Sequence, residues 1–190
     1  MTTETPRQRV LVLGGAGSIG RAIALAAAVN GASVWIADIR DAGPAVSDLP
    51  GDGHHAVRAD VTDPPSVRGL IDQMWEQGGA DGIVYASGLL HTGEVADTDS
   101  GDLERVFAVN LLGAFTVGKA IAQRIRAEPR PVSIVYLSSV AGLHGEAGGA
   151  QRRSGAGARA RVGEGDHAHR LGGGHGGQRD HQARVDLAGD

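Results

Sequence analysis

The chain of 190 residues contains no cysteine. That excludes a disulfide framework, a thiolate metal ligand and a cysteine nucleophile, and it gives no reason for an oxidising compartment, so the cytoplasm is the expected location. Aromatic residues make up only 3% of the chain, so any core must be assembled from Val, Leu, Ile and Ala. Long apolar runs are also scarce: Met1 to Arg9 is polar, and the longest apolar helical run, Ala22 to Val29, is too short to cross a bilayer. No membrane partner is expected. The formal charge is -4 and the pI about 6.0, and no basic stripe precedes residue 150. This balance argues against a nucleic-acid surface and for small-molecule partners. The length suits one domain with a substantial core.

What is present is an alternation of β-rich and helix-like runs. Strands are expected at Val10 to Leu13, Ser33 to Ala37, Ala56 to Asp60, Gly82 to Ala86 and Val132 to Leu137. Helices are expected at Arg21 to Val29, Pro65 to Gln77 and Leu103 to about Ala127, with Asn30-Gly31 stopping the first and Pro129 and Pro131 following the last. Strand, helix, strand in repetition predicts an α/β fold, a Rossmann-type doubly wound parallel sheet ending after about the fifth strand.

The first strand runs into Gly14, Gly15, Gly17 and Gly20, and the second ends at Asp38. Residues without side chains let the backbone approach a pyrophosphate, and the N–H groups that open the following helix receive its charge. A carboxylate one strand later can hold ribose hydroxyls. Gly14, Gly17, Ser18, Ile19 and Gly20 are therefore expected to bind a cofactor together with Asp38, and the expected cofactor is NAD. A glycine turn alone also closes ordinary strand-to-helix connections, and Asp38 could be only a polar strand end. The order of strand, turn, helix, strand and acid is what strengthens the reading.

Beyond Ala150 the composition changes. Residues 151–190 consist mostly of Gly, Arg, Ala, His, Asp and Gln, with Val162, Leu171, Val185 and Leu187 their only larger apolar residues. The expected organisation is a nucleotide-binding domain over 1–150 and a poorly ordered tail over 151–190. His167, His169, His175 and His181 lack a rigid frame, so no metal site is expected. An RNA-binding role for the tail is disfavoured because acids interrupt its arginines and no aromatic residue is available for stacking.

Asp60-Val61, Asn110 and Ser138-Ser139-Val140-Ala141-Gly142 complete a set that resembles the short-chain dehydrogenase/reductase family, classical type, over roughly Arg9 to Gly149. Leu13 to Gly20 is similar to that family's Thr-Gly-x-x-x-Gly-x-Gly turn, with Leu13 in place of Thr and Ser18 in place of a Gly. The resemblance implies that Asp38 binds the adenosine ribose and repels a 2′-phosphate, so that NAD is preferred, while Arg40 leaves NADP as the minority choice. It implies that Asp60 meets the adenine amine and Val61 packs on the ring; the alternative is that Asp60 is a helix cap, a place Asp63 and Ser66 fill equally well. Tyr85-Ala86-Ser87-Gly88 stands where the family has Asn-Asn-Ala-Gly, which places Ala86 and Gly88 beside the cofactor. Asn110 corresponds to an asparagine that holds a water in the proton relay, and Ser139 to the catalytic serine that hydrogen-bonds the substrate oxygen. For Ser139 too, a cap or turn is the alternative.

The implied activity is interconversion of a secondary alcohol and a ketone by hydride transfer with NAD(P). The family pattern then breaks. Its Tyr-x-x-x-Lys pair should fall at Arg152 and Ala156; no tyrosine follows Tyr136, and Lys119 is the chain's only lysine. The alternative expectation is thus a catalytically inactive NAD-binding remnant. The resemblance implies a homo-oligomer packed through that same helix, which the chain lacks. The few residue types of the tail suggest a GC-rich coding sequence read in a shifted frame. Codons exist for 169–182 that, read one base later, spell a run similar to a family helix leading into a strand.

Overall fold

The computed structural model describes residues 7–139. Five strands, β1 (Arg9–Leu13), β2 (Ser33–Asp38), β3 (His55–Arg58), β4 (Gly82–Tyr85) and β5 (Ser133–Tyr136), form one sheet in the order β3-β2-β1-β4-β5. Every pairing is parallel. This is the doubly wound arrangement expected from the alternation. The chain winds outward from β1 through β2 to β3, then returns to lay β4 on the other side of β1, so the winding direction reverses between β1 and β4.

Helices α1 (Ser18–Val29), α2 (Gly43–Ser47), α3 (Pro64–Glu76), α4 (Ser100–Phe107) and α5 (Ala114–Ala127) flank the sheet. Side chains alternate across each strand, so β1 sends Leu11 and Leu13 to one face and Val12 to the other. The first face meets α3 and α5 through Val67, Leu70, Ile71, Met74, Val117 and Ile121. The second meets α1 and α2 across small residues such as Ala24, Ala28 and Ala45. Each fully buried Leu or Ile contributes on the order of 1.5–3 kcal/mol. This core of aliphatic residues is what the shortage of aromatics dictates.

Four expectations are corrected. Helix α1 starts at Ser18 rather than Arg21, because Gly17 already has the extended backbone of an N-cap. Strand β3 ends at Arg58, short of Asp60, whose Oδ1 accepts from the Thr62 N–H at 2.8 Å and from the Thr62 hydroxyl at 2.7 Å and so bends the chain. The single helix expected over Leu103 to Ala127 is broken by a π-helical turn, Ala108–Gly113, between α4 and α5. Finally, Ala22 to Val29 is not the longest apolar helical stretch. By length and composition alone Ser100–Ala127 could cross a membrane, with a mean hydropathy of 1.4 over its most apolar window. Its inner residues Val117, Ala120 and Ile121 are instead buried against the sheet. Leu103, Phe107, Leu111, Leu112 and Phe115 on this helix are exposed. The expected tail, 151–190, lies outside the described residues.

Candidate functional site

Because all strands run the same way, their carboxyl ends share one rim of the sheet. In strand order the rim carries Asp60 and Val61 after β3, Asp38 ending β2, Gly14 to Gly20 after β1, Ala86 to Gly88 after β4, and Ser139 after β5. The residues expected from the sequence lie at or just past strand ends on this rim, except Ser18, Ile19 and Gly20, which open α1, and Asn110, which reaches it from the π turn.

The centre is the glycine turn. Gly14 has φ +78°, and a Cβ there would lie 2.6 Å from the Ser87 nitrogen, so the turn after β1 presses directly on the loop after β4. A Cβ on Gly20 would run into the Gly14 carbonyl, which fixes how closely α1 follows β1. No side chain caps α1 among the described residues, so its leading N–H groups face the rim without a partner of that kind. Ser18 and Ile19 in its first turn are exposed, Ile19 by 62%. A bare turn, an uncapped 12-residue helix and an exposed first turn fit an anionic, partly apolar ligand such as a dinucleotide.

Asp38 is the only buried charged side chain among the described residues, 6% exposed. Its Oδ2 accepts the Ala16 N–H at 3.0 Å, and its Oδ1 accepts the Arg40 N–H at 3.0 Å and Arg40 Nε at 3.1 Å. Burial pushes this carboxyl up, but the Arg40 side chain, the two main-chain donors and the Arg40 charge outweigh it and hold the group below the usual carboxylate range.

Asp60 and Asp63 divide the work the sequence left open. Asp63 caps α3 by accepting from the Ser66 N–H at 3.1 Å. Asp60 uses Oδ1 for the Thr62 turn, while its Oδ2 has no hydrogen bond among the described residues. Val61 is 8% exposed and packs in the core beside Gly113.

On the other side of the glycine turn, β4 continues into Ala86, whose N–H reaches the Leu13 carbonyl at 2.8 Å, and on to the exposed Gly88. The Asn110 amide grips the next residue at both ends: Oδ1 accepts the Leu89 N–H at 2.8 Å and Nδ2 donates to the Leu89 carbonyl at 2.9 Å. The asparagine is thus held in place by two bonds to one main-chain residue, which use one of its two N–H donors and one of its oxygen's two lone pairs. Beneath it the Tyr85 hydroxyl donates to the Val109 carbonyl at 2.6 Å. Burial, followed by Tyr136 and Asp60, pushes this phenol up to about 12. Gly113 makes room for it, since a Cβ there would lie 2.6 Å from the hydroxyl. A π turn anchored by a buried phenol and clamped to the rim was not read from the sequence, although an asparagine among apolar helical residues was its trace.

Ser139 lies just past β5, exposed. No group of His, Asp and Glu suited to hold a metal occurs among the described residues.

The family model described as enoyl-(acyl carrier protein) reductase matches residues 14–155. A (+)-borneol dehydrogenase of Salvia officinalis is 34% identical over 143 residues, which cover 71% of this chain and 55% of that protein. An L-rhamnose 1-dehydrogenase (NAD(P)(+)) of a Sphingomonas species is 35% identical over 142 residues, 72% of this chain and 56% of that protein. Among solved structures, a short chain dehydrogenase from Mycobacterium smegmatis superposes with a TM-score of 0.71 at 30% identity, covering 75% of this chain and 62% of that one. The chain spans about half the length of the curated relatives it matches.

Proposed function

The chain belongs to the short-chain dehydrogenase/reductase family, and on that premise we propose that it is an NAD(P)-linked oxidoreductase interconverting a secondary alcohol and a ketone, with NAD preferred. The observation that carries this is the order of groups along the rim. A carboxylate for a ribose, a bare turn and uncapped helix for a pyrophosphate, and a serine for the reacting oxygen follow one another across the point where the winding reverses. Asp38 and the Gly14 to Gly20 turn would hold the cofactor's adenosine ribose and phosphates, and Asp60 its adenine. The nicotinamide supplies hydride transfer when bound. Ser139 donates a hydrogen bond to the substrate oxygen, and Asn110 positions the loop after β4. The names of the relatives, dehydrogenases of a terpene alcohol and of a sugar, support small alcohols as the substrate class.

A second reading, a nucleotide-binding protein without turnover, rests on the tyrosines. Tyr85 is buried, its hydroxyl donates to the Val109 carbonyl, and burial pushes its phenol up to about 12, which disfavours a role as proton donor and acceptor. No tyrosine follows Tyr136. One purified sample decides between the two: calorimetry with NAD, then alcohol oxidation followed by NADH absorbance. NAD binding without turnover supports the second reading, ordinary dehydrogenase turnover the first. Grafting a Tyr-x-x-x-Lys helix after Ser139 is expected to raise turnover by about a hundred- to ten-thousand-fold, the usual contribution of a positioned acid/base. No binding of either dinucleotide overturns both.

A further inference from the structure

At the end of the sheet opposite the rim, the strands begin beside a cluster of cations. Arg9 opens β1, Asp81 immediately precedes β4, and Arg130 lies shortly before β5. The Asp81 carboxylate ties them together: Oδ2 accepts the Arg9 main-chain N–H at 2.8 Å, and Oδ1 accepts Arg130 Nη2 at 2.9 Å. Arg9 Nε stands 4.0 Å from Oδ2, too far for a hydrogen bond. The buried side-chain nitrogens without a hydrogen-bond partner among the described residues are Arg9 Nε, Arg130 Nε and Trp75 Nε1, and the Trp75 ring lies 6.0 Å from the Arg130 guanidinium carbon. The orphaned donors thus gather in one place, where an acceptor is wanting.

The fold leaves room for both guanidiniums. Gly78 and Gly79 follow α3 at φ +97° and +78°, and a Cβ on the first would run into Arg9 Nη1, on the second into Arg130 Nη1. A cation at the carboxyl end of α3 has an ordinary structural reason, the negative end of the helix dipole. That reason covers Arg130, whose Nη1 donates to the Gly78 carbonyl. It does not cover Arg9, whose side chain makes no hydrogen bond among the described residues. Charge is also unbalanced, because Arg9 and Arg130 share the single carboxylate of Asp81, whereas neighbouring Arg7 is matched by Asp52 at 2.6 Å.

Beside Arg9 lies an open groove of about 290 Å³, lined by Arg7, Gln8, Arg9, Asp81, Pro131 and Ser133. We propose that this groove is an anion site, separate from the dinucleotide rim, that takes one phosphate group, either as the free ion or on a small molecule. Arg9 supplies the uncompensated charge and a planar fork suited to phosphate oxygens. The Gln8 amide and the Ser133 hydroxyl at the groove wall add neutral donors. Asp81, 36% exposed on the same wall, disfavours a ligand of higher charge. The five residues of β1 stand between this groove and the glycine turn, a separation of about 16 Å.

The test is thermal melting and calorimetric titration of the full chain with sodium phosphate and with glycerol phosphate, against sodium chloride at equal ionic strength and without dinucleotide. The proteins compared are the unaltered chain, Arg9→Gln and Ser133→Asp. Phosphate is expected to raise the melting temperature of the unaltered chain by about 2 °C or more beyond chloride, as a ligand of the folded state does. Arg9→Gln is expected to weaken phosphate binding at least about tenfold, the loss of a charge-assisted bond. Ser133→Asp, at an exposed position, puts a negative charge into the groove and is expected to abolish the effect, which keeps the test decisive if Arg9→Gln does not fold. Tighter binding of glycerol phosphate assigns the groove to a phosphorylated small molecule, and tighter binding of inorganic phosphate assigns it to the free ion. No gain over chloride, or an equal gain in all three proteins, overturns the proposal. Neither substituted residue lies on the rim, so that failure leaves the dinucleotide reading standing.

Discussion

Strands β2 and β5 are both short, parallel and rich in β-branched and aromatic residues, but they end in opposite surroundings. In β2, Val34, Trp35, Ile36 and Ala37 are all buried, whereas in β5 Val135 is 55% and Tyr136 48% exposed. Position in the sheet accounts for the difference. β2 lies between β1 and β3, with α1 and α2 over one face and α3 over the other. Among the described residues β5 is an edge with a single neighbour, and of its four residues only Ile134 joins the core, on the side shared with α5. Parallel strands owe their stability to helices on both faces, and each helix arrives with the next crossover. In the described residues the half of the rim that carries the glycine turn and Asp38 has its full complement, and the half that carries Ser139 has one face without cover.

Substitutions can break that comparison, and the largest effect is expected at β2. Ile36→Ala should cost about 2–5 kcal/mol in urea unfolding, since Ile36 is fully buried and its Cγ2 abuts Gly15 in the glycine turn. A loss under about 1 kcal/mol would mean that this face repacks easily. The same measurement on Gly113→Ala should show a loss of about 1–3 kcal/mol from overpacking against the Tyr85 hydroxyl. Tyr85→Phe in the same chain should recover part of it, and strict additivity of the two would sink the contact as the cause.

An effect of pH sharpens the contrast at Asp38. Its folded pKa lies below the usual value, so its ionisation contributes stability that is present above the unfolded value of about 3.9 and is lost as pH falls through the folded one. Asp38→Asn should flatten the acid limb of a stability-against-pH curve in that window, and an unchanged limb would place the acid sensitivity elsewhere. The smallest effect is expected at β5, where Val135→Ala should stay within about 0.5 kcal/mol. A cost like that of Ile36→Ala would instead show that residues beyond 139 cover this strand.

The sheet was legible because four of the strands carry apolar runs and the fifth, β3, a short Ala56-Val57 core, and the five fall in the order a doubly wound fold requires. The rim was legible for the same reason: Gly14, Asp38, Asp60 and Ser139 are strand ends, and strand ends follow from the strands. What escaped depends on distance in the chain or on side-chain direction. Asn110 finds Leu89 across 21 residues. Val61 packs beside Gly113, 52 residues away, a contact that no local signal carries. Arg40 was noticed as a nearby cation; that it occupies both oxygens of Asp38 depends on rotamers of two side chains. The π turn has no residue signature of its own, since an N–H reaching five residues back needs only that neighbours favour it.

That wide turn also decides a matter of phase. Leu103, Phe107, Leu111 and Phe115 follow one another at intervals of four, and all are about half exposed or more. On an unbroken α-helix each interval of four overshoots a turn by about 40°, so the fourth member would stand about 120° around the axis from the first. Ala108–Gly113 winds more slowly and takes up part of that overshoot, in the manner of a vernier between two scales of slightly different pitch. The four side chains stay closer to a single line because the helix changes its count between them.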